Sequence, residues 1–286
     1  MTTSRAILTL AGVLVLGAVS ASLGETFTFN KTNDVWDNAE NWIPGDGPPG
    51  AGDTAIIPIN RTCRVEDADQ AAQIIQVYGT LGLVGHDLEL ISGASTSKID
   101  GILYFKEADG HVPELHFIAG HSLEGSGTIT AKRDHGYGPG LIKPATGDGA
   151  ALRIEPGLTV TGSIRVWNLW LHNRGDFIVN HPDDEMQLEQ DIPWWPVLRL
   201  RSDGSIQVSA GKLHVGAMNI DSSAAVSFRL SGGEMKFVGQ GILDTQVPFT
   251  VTGGVLDIQR NLRTSGASVF RNATIKVKQG KAVEFD

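Results

Sequence analysis

Apolar and polar residues alternate in short segments along most of the chain. The segments LEL at 88–90, LRI at 152–154 and IRV at 164–166 are typical, and glycine, serine, asparagine or aspartate closes most of them. A period of two is typical of β-strands that bury one face. Only the stretches 66–76 and 181–190 suggest a helical turn or two. The pattern therefore predicts an all-β protein.

In the C-terminal third the alternating segments recur at a nearly constant interval. The central apolar residues of four aligned segments lie at 213, 235, 256 and 275, so the steps are 22, 21 and 19 residues. Seven residues before each of them lies a second apolar or small residue, in order Ile206, Phe228, Phe249 and Ser268. A fixed period near 20 is the signature of a solenoid, in which coils stack one strand spacing (~4.8 Å) apart. About 12 such coils fit into the chain.

The competing architecture is an antiparallel sandwich or barrel. It would require longer strands and tight hairpin turns such as Asn-Gly, and the sequence contains no Asn-Gly pair. The fold prediction is therefore a single-stranded parallel β-helix, that is, a β-solenoid, and we expect it to be right-handed.

The residue between the two apolar positions of each aligned segment is predicted to point outward. These residues are His214, Lys236, Asp257 and Lys276 and should form one column on the surface. Mixed charges at that spacing form a solvated ladder, and each pair contributes less than about 1 kcal/mol. The column lacks clustered carboxylates, so no catalytic residue is predicted there.

Composition narrows the class of protein. The 286 residues include 35 glycines and one cysteine, and the formal charge is −9. The glycine excess fits the corners of stacked coils, where positive φ angles are needed. A single cysteine excludes a disulfide scaffold, and Cys63 is interpreted as a small buried residue, with an intermolecular disulfide as the alternative. The acidic balance argues against a nucleic-acid partner.

The first residues have the pattern of an export signal. Arg5 precedes an apolar run over 6–18, and small residues follow at 19–24. We expect 1–24 to be a cleaved signal peptide and the protein to be secreted or at the cell surface, without a membrane span. The apolar run is shorter than the ~20 residues that a membrane anchor, the alternative, would need. Residues 25–60 are then an N-terminal segment or cap, and 61–286 the β-helix, with a loop insertion at about 181–196.

One segment near the N-terminus resembles a known opening. The sequence WDNAENW at 36–42 is followed by Pro44-Gly45, Pro48-Pro49 and GDTAII at 52–57. It is similar to the start of secreted bacterial parallel β-helix proteins, including autotransporter passenger domains and the β-solenoid surface proteins of planctomycetes. The resemblance implies an extracellular right-handed β-helix and no single activity.

The insertion at 181–196 is the first candidate binding region. It carries Trp194 and Trp195 between two prolines, and Trp167 and Trp170 precede it. Insertions in solenoids become loops on one face, often the binding face, and tryptophan rings anchor proteins or stack on sugars. The alternative is that these rings only cover the rim of the core.

Metal binding has little support in the sequence. Asp183, Asp184 and Glu185 offer oxygen ligands that would suit calcium, but not with the spacing of an EF-hand loop. The histidines at 111, 116, 121 and 135 are scattered and match no zinc motif. No cofactor is predicted, with calcium at 183–185 as a weak alternative.

The two ends of the rod suggest a function. The last segments alternate up to Val283 and Phe285 without a capping helix, and Phe27 and Phe29 lie in an alternating segment that we expect to be free. An open end and a free strand are what head-to-tail strand addition requires. The prediction is an extracellular structural or adhesive rod that associates with itself or with surface and matrix components. The alternative is a carbohydrate-active β-helix, either a lyase, a hydrolase or a sugar-binding module.

Overall fold

The computed structural model describes residues 24–91, 95–118, 120–131, 140–145, 151–167, 170–189, 199–216, 219–220, 227–239, 242–245, 248–264 and 268–285. Of 199–202, 219–220, 242–245 and 285 it describes the backbone alone. In this part of the chain, no helix has the length and apolar character needed to cross a bilayer.

The described elements are short strands and one 3-10 turn at Ala39–Asn41. The first twelve strands are β1 (Thr26–Phe29), β2 (Asn33–Val35), β3 (Trp42–Ile43), β4 (Thr54–Ile57), β5 (Thr62–Val65), β6 (Gln70–Ala72), β7 (Ile74–Val77), β8 (Thr80–Val84), β9 (Leu88–Leu90), β10 (Thr96–Ile99), β11 (Ile102–Lys106) and β12 (Glu114–Phe117). The next twelve are β13 (His121–Glu124), β14 (Thr128–Ala131), β15 (Gly140–Pro144), β16 (Ala151–Ile154), β17 (Thr159–Gly162), β18 (Ile164–Trp167), β19 (Trp170–Asn173), β20 (Asp176–Val179), β21 (Glu185–Glu189), β22 (Arg199–Ser202), β23 (Ser205–Val208) and β24 (Lys212–Val215). The last ten are β25 (Asn219–Ile220), β26 (Ser227–Leu230), β27 (Glu234–Phe237), β28 (Ile242–Thr245), β29 (Phe249–Val251), β30 (Val255–Ile258), β31 (Asn261–Thr264), β32 (Val269–Phe270), β33 (Thr274–Val277) and β34 (Val283–Phe285).

Every third strand joins the same sheet, so the chain winds around three faces. Face 1 has the strand order β3-β1-β4-β7-β10-β13-β16-β19-β22-β25, and β28-β31-β34 continue beyond it. Face 2 runs from β2 through β5 and β8 to β32, and face 3 runs from β6 through β9 and β12 to β33. All these strand pairs are parallel except β1 with β3. The prediction of an all-β parallel solenoid is confirmed.

The register of the C-terminal third also agrees with the sequence repeat. Leu213 pairs with Met235, Met235 with Leu256, and Leu256 with Ile275. Elsewhere the coils differ in length. On face 2 the sequence separation between the paired residues Cys63 and Leu81 is much shorter than that between Phe177 and Ile206. The described part of the chain contains ten complete three-strand coils, β4 to β33, fewer than the 12 expected, because several turns are longer than those of the C-terminal repeat.

Both stretches with helical periodicity are strands instead. The first contains β6 and β7, and the second contains β21, which pairs in parallel with β18 and β24. The predicted loop at 181–196 is thus wrong for Glu185–Glu189, while 190–198 lie outside the described residues. Pairing with neighbouring coils buries alternate residues and overrides a weak local helical preference.

The inward side chains form one continuous core along the rod. Phe228, Phe237 and Phe249 are fully buried, with ring centroids 5.2 to 5.7 Å apart, and the rings of Phe228 and Phe249 are stacked. Cys63 is a free, buried residue of face 2, as the first of its two interpretations predicts.

Glycines allow the corners of successive coils to touch. A Cβ on Gly101 would lie 1.9 Å from the carbonyl oxygen of Gly79, and one on Gly127 would lie 2.2 Å from that of Gly101. These three glycines occupy the same corner of consecutive coils, so backbone contacts backbone there. Here glycine is required by close backbone approach rather than by positive φ. The predicted positive φ occurs at another corner, where Gly211, Gly233 and Gly254 have φ angles of 70°, 68° and 77°.

An aromatic cap closes the N-terminal end. The Trp42 ring centroid lies 4.8 Å from that of Trp36 and 5.3 Å from that of Phe29, and all three side chains are buried. The Trp42 indole N–H donates to the Trp36 carbonyl oxygen at 2.6 Å. The tryptophans of the WDNAENW segment thus pack on the first coil. Because β1 pairs with β3 on one side and β4 on the other, the prediction that Phe27 and Phe29 lie in a free strand is wrong.

Candidate functional site

The corner between faces 2 and 3 carries acids and histidines in consecutive coils. The turns 66–69, 85–87 and 107–113 stack there and line a groove of about 440 Å³. Its polar lining residues are Glu66, Asp69, His86, Asp109 and His111. The groove is therefore a polar surface feature built by turns that are far apart in sequence.

Hydrogen bonds connect the carboxylates and imidazoles of these turns. His86 Nδ1 lies 3.3 Å from Asp69 Oδ1, and the Asp87 backbone N–H donates to the same oxygen at 3.0 Å. This backbone hydrogen bond is the main cause of the lowered pKa of Asp69. His111 Nε2 lies 3.0 Å from Asp87 Oδ1, and this contact raises the pKa of His111.

Asp87, His111, Glu114 and His116, which we call the histidine–carboxylate cluster, lie beside this groove. Leu88 pairs with Leu115, so the residues before them, Asp87 and Glu114, occupy neighbouring positions, and the Glu114 N–H donates to Asp87 Oδ1 at 2.9 Å. His116 Nε2 lies 2.5 Å from Glu114 Oε2 and 3.8 Å from Asp87 Oδ2.

Three side chains of the cluster are largely buried, whereas His111 is 50% exposed. The side chains of Asp87, Glu114 and His116 are 19%, 18% and 20% exposed. Burial raises the pKa of Glu114, but hydrogen bonds from the Lys143 ammonium and from His116 outweigh burial, so the net shift is downward. Ligand atoms of Asp87, Glu114 and His116 lie within 4.8 Å of one another, and no ion is present. Within the described ranges, these three side chains form the group that could hold a metal ion.

A cationic and aromatic patch continues along face 3 from the cluster. Lys143 Nζ lies 5.9 Å from the ring centroid of Trp167, and Arg165 Cζ lies 4.9 Å from it. Arg165 also pairs with Glu189 at 3.0 Å. Both cations are within cation–π range, so Trp167 packs against charged side chains.

The two predicted binding tryptophans that the structure describes lie on different faces. Trp167 is half-buried on β18 in face 3, whereas Trp170 lies on β19 in face 1 and is 44% exposed. Trp194 and Trp195 lie outside the described residues.

The predicted outward column is present on face 3. His214 pairs with Lys236, Lys236 with Asp257, and Asp257 with Lys276. Asp257 accepts a hydrogen bond from Gln259 at 2.9 Å, and His214 Nδ1 lies 3.8 Å from Glu185 Oε1. Asp257 thus lies between two lysines, Lys236 and Lys276, which is the arrangement of a solvated ladder.

The residues considered for calcium are dispersed. Asp183 is 77% exposed, Asp184 is buried, and Glu185 lies on β21, where it accepts a hydrogen bond from Gln187 at 2.7 Å. The histidines are less scattered than the sequence indicates, because His111 and His116 lie in one cluster. His121 is separate, buried in the core with Nε2 2.9 Å from Ser97 Oγ, and His135 lies outside the described residues.

Asp87, Glu114 and Lys143 are not among the residues predicted from the sequence. Asp87 and Glu114 are 27 positions apart, a separation unlike the steps of the C-terminal repeat. Aligning the LEL segment at 88–90 with ELHF at 114–117 would have shown both acids just before or at the start of equivalent strands.

The two ends of the rod have different surfaces. At the N-terminal end Phe27 and Phe29 are buried. At the other end β33 is the last strand of face 3, and its Ile275 and Val277 are 40% and 45% exposed. Val283 is partly buried against the core, and Phe285 lies on the final strand in register with Thr264.

These features define the class of the molecule: it is a parallel β-solenoid with a capped N-terminal end. Comparison with protein-family models, with curated proteins and with solved structures gave no match.

Proposed function

We propose that this chain is an extracellular structural or adhesive rod that stacks head-to-tail with copies of itself. The observation that carries the proposal is the surface of the last coil. Ile275 pairs with Leu256 and Val277 with Ile258, and both partners are fully buried core residues. Ile275 and Val277 are exposed at the equivalent positions of β33, whose outer edge pairs with no other strand of the described residues. An apolar end with an unpaired strand edge favours the addition of another coil.

Charge indicates which surface would cover this end. Residues 268–285 contain four basic residues and one acidic residue, although the chain as a whole has a formal charge of −9. Residues 24–53, which build the opposite end, contain six acidic residues and one basic residue. Two basic ends would repel each other, whereas a basic end and an acidic end attract. Joining unlike ends gives a heterologous contact, which generates an open filament when the rotation does not close.

The remaining parts of the proposal rest on sequence and on general rules. The coil is taken as right-handed because about 98% of parallel crossovers are right-handed. Export is proposed from Arg5 and the apolar run over 6–18, which lie outside the described residues.

Sedimentation velocity of the purified chain over a range of concentrations tests the proposal. We expect oligomers that grow with concentration and weaken as salt is raised. Ile275→Asp combined with Val277→Asp should abolish them, whereas Ile102→Asp, at a similarly exposed residue (44%) in the middle of the rod, should not. A monomer at every concentration, or equal behaviour of the two variants, would contradict the proposal. Release of products from a polysaccharide panel would instead favour the carbohydrate-active alternative.

A further inference from the structure

We propose that the histidine–carboxylate cluster binds a divalent transition metal, with Zn²⁺ as the representative ion. The ligands are Asp87, Glu114 and His116, with His111 as the fourth. They come from two consecutive coils and meet where the turn before β9 stacks on the turn before β12. This inference is independent of the proposed assembly.

Repulsion between two neighbouring carboxylates favours a cation at the cluster. The parallel register places the Asp87 and Glu114 carboxylates side by side, and like charges at neighbouring positions of a sheet destabilise it. Both side chains are at least four-fifths buried, so water screens their repulsion poorly. The site therefore favours a cation, and at present the Lys143 ammonium and the imidazoles of His111 and His116 contact these carboxylates.

The distances between the ligand atoms are close to those of a tetrahedral zinc site. Ligand atoms bound to Zn²⁺ at about 2.0–2.2 Å lie roughly 3.3 Å from one another in a tetrahedron. His111 Nε2 is 3.0 Å from Asp87 Oδ1, and His116 Nε2 is 3.8 Å from Asp87 Oδ2. The ligand atoms of Asp87, Glu114 and His116 already lie within 4.8 Å of one another. His111 lies outside that group of three, so its side chain must move toward Glu114 and His116 to complete the site.

The chemistry of the four ligands favours a transition metal. Two imidazole nitrogens and two carboxylate oxygens form a mixed set that suits zinc and its neighbours in the first transition row. Calcium and magnesium prefer oxygen ligands alone. The Glu114 N–H bond to Asp87 Oδ1 holds the Asp87 carboxylate in place, which is the kind of support that ligands of metal sites receive.

Lys143 makes this proposal distinguishable from a purely structural network. Its ammonium contacts Glu114, which is also a proposed ligand, so it competes with an incoming ion for the same oxygen. Removing the ammonium while keeping the aliphatic stem should therefore strengthen metal binding. If the cluster were only a hydrogen-bond network, it would not bind the ion, and removal of the ammonium would give no gain in affinity.

The test is a calorimetric titration of the EDTA-treated full chain with Zn²⁺, followed by Co²⁺ with visible absorption. We expect one equivalent to bind, and a visible band with Co²⁺ that reports nitrogen and oxygen ligation. Glu114→Gln and His116→Gln should each weaken Zn²⁺ binding by at least about tenfold, since even outer-shell changes cost 10–100-fold. Lys143→Met should tighten it several-fold.

The matched control is His172→Gln. His172 Nε2 lies 3.0 Å from Asp203 Oδ2, the same distance as in the His111–Asp87 pair, but no metal group is found there among the described residues. This variant should bind Zn²⁺ as the wild type does. Absence of saturable binding to the wild type would overturn the proposal. The proposal would also be overturned if the His172 and His116 variants lost Zn²⁺ affinity equally, or if the Lys143 variant bound Zn²⁺ more weakly than the wild type. Far-UV circular dichroism of each variant verifies that the coil is intact.

Discussion

The aromatic cap provides the sharpest test of how the rod is closed. Trp42 is 1% exposed, its ring contacts those of Trp36 and Phe29, and its indole N–H donates to a backbone carbonyl. Each ring pair contributes about 0.5–1.5 kcal/mol and the hydrogen bond about 1 kcal/mol. Together with the lost burial, Trp42→Ala should lower the free energy of unfolding by about 3–5 kcal/mol.

A second tryptophan of the same chain serves as the control. Trp170 is 44% exposed, so Trp170→Ala should change the free energy of unfolding by less than about 1 kcal/mol. The loss of unfolding free energy caused by Trp42→Phe should lie between those of the two alanine variants. Phenylalanine keeps an aromatic ring but leaves the buried Trp36 carbonyl without its donor. Guanidinium unfolding should be followed by far-UV circular dichroism, since removal of a tryptophan alters fluorescence directly.

The slope of the unfolding curve gives a further measurement. In a solenoid each coil contacts only its neighbours, so damage at one end can release the first coils before the rest. Trp42→Ala should then lower the denaturant slope as well as the midpoint. If Trp42→Ala and Trp170→Ala agreed within about 0.5 kcal/mol, the cap would not stabilise the rod and this reasoning would be refuted.

Three further predictions concern single positions along the rod. Burial raises the pKa of the Cys63 thiol, so thiol reagents should label it only after denaturation, and rapid labelling of the native protein would contradict its burial. The pKa of Asp100 is lowered by hydrogen bonds from Lys98 and from the next coil, so Asp100→Asn should cost about 0.5–1 kcal/mol at neutral pH. In unfolding curves at acid pH, this cost should vanish as the pH falls through the lowered pKa of Asp100, because the carboxylate of the folded protein is then protonated too. A cost that persisted at low pH would show that the charge of Asp100 is not its cause. A Cβ on Gly82 would lie 2.3 Å from the Tyr104 ring. Gly82→Ala should therefore destabilise the wild type by about 1–3 kcal/mol but leave the stability of a Tyr104→Ala variant unchanged. Additive effects of the two substitutions in this double-mutant cycle would refute the clash.

The regular part of the fold could be predicted from the sequence because its period is nearly constant. The segments around Leu213, Met235, Leu256 and Ile275 align by inspection, and the structure pairs them in that order. Alternation also indicates the strand at Thr26–Phe29, but not its partners. A strand that is paired on both edges has the same local pattern as one that is free.

The candidate site could not be predicted because it depends on turn length. Asp87 and Glu114 are neighbours because the turn before β12 is longer than the corresponding turns of the C-terminal repeat. Local sequence carries no information about which residues of two turns will stack when the turns differ in length. The histidines were visible as single residues, but their partners were not.

The solenoid separates the proposed metal site from the proposed assembly surface. The cluster spans the second and third complete coils, and β33 belongs to the tenth, so about seven strand spacings, or roughly 34 Å, lie between them. Coupling in a stack of coils passes only through nearest neighbours and weakens with each one. Zn²⁺ should therefore stabilise the N-terminal coils against denaturant without changing the sedimentation of the assembled protein. A shift of the assembly equilibrium on adding Zn²⁺ to the wild type, absent in His116→Gln, would show instead that the whole rod responds as one cooperative unit.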